Sequence, residues 1–347
     1  MRKTTQFGAL AAVSALLISG CVADGGETAE GDLTLVFTSY GSAYQEAQNE
    51  AMLTPWAESV GATIVNDEPT SYARIQQMVD AGQIDWDVVD TEPFFPVANC
   101  GTLVEEIDFT NIDTTKFPEG TVSPCSIPIL QYSTVMVYNT ETYAEPPTSY
   151  ADFFDLENFP GVRSVPNWGA GGALELALLA DGVAPEDLYP LDVDRAFAKL
   201  DTIRDSLVFW NTSSESQQAL EDGTVDMSFV WSGRAYEAEN NGATFEPVWE
   251  NNLIAWATLS ILKGSPNLEA AQSFIEYAAT AEPQARFAEL QPYSPANSDS
   301  APDLDELQQK YNVADPAIQE LSVVTDVDFW AENSTEIEEA WAAWSTS

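Results

Sequence analysis

The chain contains no histidine. That removes Ser-His-Asp and Cys-His catalysis and every imidazole-ligated metal site. Positive charge is also scarce: 12 Lys and Arg stand against 56 Asp and Glu, a formal net charge of −44. A phosphate backbone needs clustered basic side chains, and none occur, so nucleic acid is not an expected partner. Cysteine is confined to Cys21, Cys100 and Cys125. The acids run through the whole chain without a long block. That is the pattern of general adaptation to high salt, where counter-ions screen self-repulsion, rather than of a polyanion built to bind a cation. Hard cations remain an alternative cargo, but there is no compact Asp/Asn loop of the EF-hand type. No metal or other cofactor is expected.

What the chain has in quantity is apolar and aromatic surface. The apolar fraction is 45%, with 10 Trp and 16 Phe in 347 residues, enough for one large domain or two lobes with a substantial core.

The N-terminus carries an address. Met1-Arg2-Lys3 is a short basic start, and Phe7–Gly20 is an apolar run. A bilayer span needs about 20 residues, so this run suits the core of a signal peptide instead. It ends Ile18-Ser19-Gly20-Cys21, which resembles the lipobox of a bacterial or archaeal lipoprotein. That resemblance implies cleavage after residue 20, a lipid on Cys21, and an extracytoplasmic, membrane-anchored protein of a periplasm or cell surface. The alternative is an ordinary signal peptide with a chance cysteine. Residues 21–31 are small and polar and read as a flexible tether. In an oxidising compartment Cys100 and Cys125 pair or stay as buried thiols, and the compartment favours the bridge. Closing a loop of about 25 residues would contribute about 3 kcal/mol by the chain-entropy model.

Along the mature chain, strand-like and helix-like segments alternate. Leu33–Thr38 is β-prone. Ser42 with Gln45 reads as a capping box opening a helix that Gly61 ends. Thr63–Val65 is a second strand, Ser71–Ala81 a helix, and Asp87–Asp90 a buried strand. Val135–Tyr138, Val225–Val230 and Leu259–Leu262 are further strands. Leu174–Leu179, Val193–Leu207, Ser214–Glu221 and Leu268–Ala279 are helical, as are the final forty residues. This order predicts an α/β fold with a parallel sheet, whose ligands bind beyond the carboxyl ends of the strands. Ser39-Tyr40-Gly41 and Asp90-Thr91-Glu92 fall there.

Several stretches, weak singly, are specific in their order and spacing. They are Ser39-Tyr40-Gly41-Ser42-Ala43-Tyr44-Gln45, Asp85-Trp86-Asp87-Val88-Val89-Asp90, Pro147-Thr148-Ser149-Tyr150-Ala151-Asp152-Phe153-Phe154, Ala180-Asp181-Gly182-Val183-Ala184-Pro185, Asp194-Arg195-Ala196-Phe197-Ala198-Lys199-Leu200-Asp201 and Asp328-Phe329-Trp330-Ala331-Glu332-Asn333. Over nearly the whole mature chain the sequence resembles the spermidine/putrescine-binding family of ABC-importer solute-binding proteins. The resemblance implies a type II periplasmic-binding-protein fold, a clamshell of two α/β lobes with mixed sheets flanked by helices. Lobe 1 would hold 32–138 plus 260–347 and lobe 2 139–259, with crossovers near Tyr138–Thr140 and Ala257–Ser260. It further implies hinge closure on a small-molecule ligand, delivery to a transmembrane permease, action as a monomer, and no catalysis. Cys100 and Cys125 match a cysteine pair found in one branch of the family.

Aromatic faces and carboxylates hold alkylammonium groups. Tyr40 and Trp231 match the family's aromatic positions, and Tyr132 replaces another. Trp168 and Trp256 lie near site segments. Simple core packing is the commoner fate of such residues. The family's acids, by contrast, are missing at Gly169, Gly172 and Ala257, and Ala255 stands where related members carry one. Asp90 and Glu92 remain as substitutes, or as acids at strand ends facing solvent. Arg234 beside the cleft would hold a carboxylate, or would serve a structural salt bridge, easily found in so acidic a chain. The Gly169–Gly172 turn would offer free amides to an anion. The expected ligand is therefore a small amine-bearing or zwitterionic solute. A true polyamine is the alternative, and an exported carboxylate-dependent hydrolase the reading from another class.

Overall fold

The computed structural model describes residues 33–143 and 145–346. The signal peptide, the Cys21 lipobox and the tether lie outside the described residues.

Ten strands form one mixed sheet: β1 (Thr34–Thr38), β2 (Thr63–Asp67), β3 (Val88–Thr91), β4 (Ile127–Asn139), β5 (Arg163–Pro166), β6 (Leu207–Trp210), β7 (Met227–Trp231), β8 (Phe245–Ile261), β9 (Ser294–Pro295) and β10 (Val323–Val324). The order is β2-β1-β3-β8-β4-β7-β5-β6, with β10 on β8 and β9 on β4. Each flank is a parallel trio, β2-β1-β3 on one side and β7-β5-β6 on the other. Such trios need helical crossovers, which is why strands and helices alternate in the sequence. Two long antiparallel strands, β4 and β8, join the trios. β4 takes β7 as neighbour from Thr134 onward, and β8 takes β3 from Thr258 onward. Along β4 the change of neighbours therefore comes before the Tyr138–Thr140 crossover expected from sequence.

The apolar periodicity found most elements and misplaced three boundaries. Leu259–Leu262 is the end of the 17-residue β8. The polar run Glu250-Asn251-Asn252 hid its continuity; Asn251 sits at φ 60, a conformation Asn tolerates better than most residues. The stripe from Val193 to Leu207 stays buried at Ala196, Leu200, Ile203 and Leu207, but the helix ends at Asp201 and Leu207 opens β6. Ser42 is not a cap: Gly41 holds the N-cap position at φ 77, with no side-chain cap.

The core has two large parts. One, with Phe37, Trp56, Phe274 and Phe287, lies under β1, β3 and the adjoining ends of β4 and β8. The other gathers Phe153, Leu174, Leu200, Phe229, Trp330 and Trp341. The C-terminal helix Val327–Ser345 packs against the Phe94–Asn99 helix of the lobe to which 260–347 was assigned and also into the core of segment 139–259. Its tryptophans find their ring partners there: Trp341 meets Phe197 at 6.1 Å and Phe209 at 6.0 Å. Cys100 and Cys125 have Cα atoms 5.5 Å apart, a separation a disulfide spans. Among the described residues no helix is long and apolar enough to cross a membrane.

Candidate functional site

The carboxyl ends of the parallel strands converge on one cleft. Tyr40 follows β1, Glu92 follows β3, Trp168 follows β5, and Trp231 ends β7 and leads into the Ser232–Asn240 helix carrying Arg234. Tyr132 and Thr134 of β4 and Leu253 and Ala255 of β8 lie between them. The C-terminal helix supplies the remaining wall through Trp330, Ser334, Thr335, Glu338 and Glu339. The cavity measures about 620 Å³ and is open to solvent on one side. A much smaller pocket of about 30 Å³ adjoins it, lined by Arg234, Tyr44, Tyr293 and Ala257. Tyr40, Glu92, Tyr132 and Trp231 line both.

Six of the eight residues singled out from sequence therefore meet: Tyr40, Glu92, Tyr132, Trp168, Trp231 and Arg234. The rings form a connected box. Trp231 lies 6.2 Å from Tyr132 and 5.8 Å from Trp168, and Trp210, which the sequence did not flag, fills the angle at 5.5 Å and 4.8 Å.

The other two residues lie elsewhere. Trp256 is buried but lines neither cavity. Successive strand side chains alternate faces, so with Ala255 and Ala257 turned to the cleft, Trp256 points the other way. Asp90 is fully buried beneath the site. Its Oδ2 accepts bonds from Tyr44 Oη (2.8 Å), Gln48 Nε2 (2.7 Å) and Ser39 Oγ (3.3 Å). It ties β3 to the helix that follows Tyr40 and so holds that corner of the site. Burial pushes its carboxyl up to about 7, against those hydrogen bonds.

Glu92 does reach the cleft. It accepts a short bond from Tyr132 Oη, and its backbone N–H donates to Tyr72 Oη at 3.1 Å. Burial, with the Asp90 charge adding to it, raises its pKa to about 7, while the Tyr132 bond pulls the other way.

Arg234 is 5% exposed. Its Nη1 donates to Gln217 Oε1 at 3.2 Å, and the Tyr293 hydroxyl lies beside it. Among the described residues its Nε–H has no partner, and no carboxylate comes within ion-pair distance.

The glycine turn differs from expectation. The amides of Gly169 and Ala170 do receive an anion, but it is the Glu338 carboxylate of the C-terminal helix, at 2.9 and 3.0 Å. The missing family acids also have a packing cause. Gly172 sits at φ 92, and a Cβ there would stand 2.8 Å from the Phe229 ring; one at Gly169 would stand 2.9 Å from Ile337. Side chains do not fit at either position without repacking.

Sequence reasoning missed Glu175, buried and lining the large cavity, and Tyr72, Tyr293 and Glu338. For Glu175 a signal existed: it is the only charged residue in the run Ala173-Leu174-Glu175-Leu176-Ala177-Leu178-Leu179. No group of three or more potential metal ligands occurs among the described residues.

Comparison with known proteins agrees with this geometry. The family profile described as bacterial extracellular solute-binding protein matches residues 30–319. The γ-aminobutyric acid-binding protein of Pseudomonas aeruginosa is 34% identical over 320 residues, 90% of this chain and 91% of that protein. The solved structure of the Atu4243–GABA receptor is 37% identical and superposes with a TM-score of 0.82, covering 90% of this chain and 97% of its own. The spermidine/putrescine-binding periplasmic protein of Escherichia coli is 23% identical over 279 residues, 76% of this chain and 78% of that protein.

Proposed function

The chain belongs to the bacterial extracellular solute-binding protein family, whose members bind small solutes for ABC transporters, and we propose that its solute is a short zwitterion, an ω-amino acid of the γ-aminobutyrate kind. One observation carries this reading: Arg234 is buried at the cleft with an unpartnered Nε–H and, among the described residues, no carboxylate within ion-pair distance, Glu237 acting on it only through space, in a chain with 56 acids. An uncompensated buried charge is costly, so a structural arginine is expected to have its nitrogens occupied, by carboxylates or, as for Arg163, by carbonyls and a hydroxyl. The missing carboxylate is the ligand's, held by the guanidinium fork. The ammonium end lies against the faces of Tyr40 and Trp231 and is neutralised by Glu92. The relatives whose names include γ-aminobutyric acid support the same assignment.

The polyamine alternative fits the cleft less well. The family clamps are absent, the packing around Gly169 and Gly172 resists their return, and Ala255 and Ala257 present methyl groups to the cleft. In favour of it stands the charge of the large cavity, lined by Glu92, Glu175, Glu338 and Glu339 and by no Lys or Arg. The hydrolase alternative has no support among the relatives, which are binding proteins.

The proposed setting follows the sequence. The protein is exported, anchored through Cys21, bridged between Cys100 and Cys125, and works as a monomer whose two lobes close over the solute. Calorimetric titration of the full chain in molar potassium chloride tests the ligand class, using γ-aminobutyrate, putrescine and spermidine. High salt is required because polyamines bind any polyanion weakly at low ionic strength. Saturable binding of γ-aminobutyrate with weaker or absent polyamine binding is expected. Spermidine binding as tightly as any zwitterion overturns the assignment.

A further inference from the structure

Arg234 lines only the small pocket and Glu175 only the large cavity, while Tyr40, Glu92, Tyr132 and Trp231 line both. The order along the cleft is therefore cation, then Glu92 among the shared aromatics, then Glu175 beyond. A solute with its carboxylate on Arg234 meets two successive acids at different depths.

Glu175 is built as an acceptor with capacity to spare. It is 1% exposed, sits on the Ala173–Ala180 helix, and forms part of the cavity wall. Its Oε1 accepts Tyr189 Oη at 2.9 Å and Trp330 Nε1 at 3.0 Å. Both bonds orient the carboxylate, while Oε2 is buried and among the described residues has no partner. None of the described residues lining the cavity is basic, and the facing C-terminal helix adds Glu338 and Glu339 to the same wall. Of these, Glu338 already holds the Gly169 and Ala170 amides. An unpaired buried carboxylate oxygen in a cavity otherwise walled by rings and acids is matched by a cation.

Resting on the ω-amino acid reading of the cleft, we propose that Glu175 is a second ammonium subsite, at the far end from Arg234, so that the site also takes amino-carboxylates longer than a four-carbon chain. Short solutes place their ammonium at Glu92, and longer ones carry it past the aromatic box to Glu175 Oε2. Burial raises the Glu175 carboxyl to about 7, so an arriving ammonium displaces a proton there when the pH is near neutral.

The test compares γ-aminobutyrate, 5-aminovalerate and 6-aminohexanoate by calorimetry on the full chain and on E175Q, at pH 8 in molar salt. The substitution is expected to weaken 6-aminohexanoate about tenfold, about 1.4 kcal/mol, and to leave γ-aminobutyrate within about twofold. An equal loss for all three, or no loss for any, overturns the subsite; γ-aminobutyrate binding that persists in either case leaves the reading of the cleft standing. Failure of the wild-type chain to bind any ω-amino acid overturns both. Should E175Q not fold, Tyr189→Phe decides: it removes one of the two bonds that orient Glu175 and is expected to weaken 6-aminohexanoate about threefold more than γ-aminobutyrate. Equal effects on the two solutes overturn the proposal.

Discussion

Among the described residues of this acidic chain two arginines are buried, and they are satisfied in opposite ways. Arg163, 0% exposed on β5, donates through Nε to Phe153 O at 2.7 Å, through Nη1 to Tyr143 Oη at 3.1 Å and through Nη2 to Phe159 O. Its Cζ also lies 5.7 Å from the Phe153 ring centroid. Two backbone carbonyls and a hydroxyl occupy all three of its nitrogens, and it pins the segment before β5. Arg234, 5% exposed, donates to Gln217 and lies beside the Tyr293 hydroxyl, and among the described residues its Nε–H is left over beside a cavity. A buried cation saturated by dipoles belongs to the architecture. One with free donors facing a ring-lined cleft is waiting for an anion.

Substitution should separate the two roles. Arg163→Met leaves two carbonyls and a hydroxyl without their donor, so a loss of about 3 kcal/mol in unfolding free energy is expected by chemical denaturation in molar salt. Arg234→Gln should cost binding instead. About 2 kcal/mol of γ-aminobutyrate affinity, roughly thirtyfold, goes with the charged bond, while unfolding free energy stays within about 0.5 kcal/mol. If Arg234→Gln destabilises the fold as much as Arg163→Met, the distinction is lost.

Proton linkage sharpens the comparison at the other end of the ligand. The folded-state pKa values of Glu92, Asp90 and Glu175 are raised to about 7 by burial. A raised carboxyl favours the folded state below its unfolded pKa, and that advantage fades as pH rises through the folded value. The ligand-free Tm should thus fall between pH 5 and pH 8. Binding runs the opposite way, because the ammonium requires ionised Glu92. Affinity should rise about tenfold from pH 6 to pH 8, following the ionised fraction about a pKa near 7. A flat profile, or one falling with pH, removes Glu92 from the ammonium site. The smallest effect belongs to Gln217→Ala. It frees Arg234 of a neutral hydrogen bond, so affinity should change by less than about 1 kcal/mol. A large loss would mean that Gln217 positions the guanidinium.

What was legible in the sequence followed from local rules. Buried parallel strands such as Asp87–Asp90 show as short apolar runs, and the strand–helix alternation gave the α/β class. Tyr40 and Glu92 were found because sites form at strand ends, whereas Trp231 and Trp168 came from the family resemblance. Tertiary context hid the rest. Nothing local says that Phe245–Ile261 stays one strand across Asn251, or that its face parity turns Trp256 away while bringing Ala255 and Ala257 inward. Asp90 looked like Glu92 in sequence, but only the structure places the hydroxyls and the amide of Ser39, Tyr44 and Gln48 on it. Glu338 lies 169 residues from the glycine turn it occupies, beyond the reach of any spacing argument. The tryptophans of the last helix were read as packing residues, but their partners Phe197 and Phe209 were not.

The most direct test crosses a change in the ligand with a change in the protein. Affinities of γ-aminobutyrate and of n-butylamine, which keeps the ammonium and lacks the carboxylate, would be measured for the wild-type chain and for Arg234→Gln in molar salt. If Arg234 receives the carboxylate, the wild type prefers γ-aminobutyrate by about thirtyfold or more, and the preference collapses towards unity in the variant. A preference of the same size in both proteins would show that the carboxylate is held elsewhere and that the spare donors of Arg234 are not its receptor.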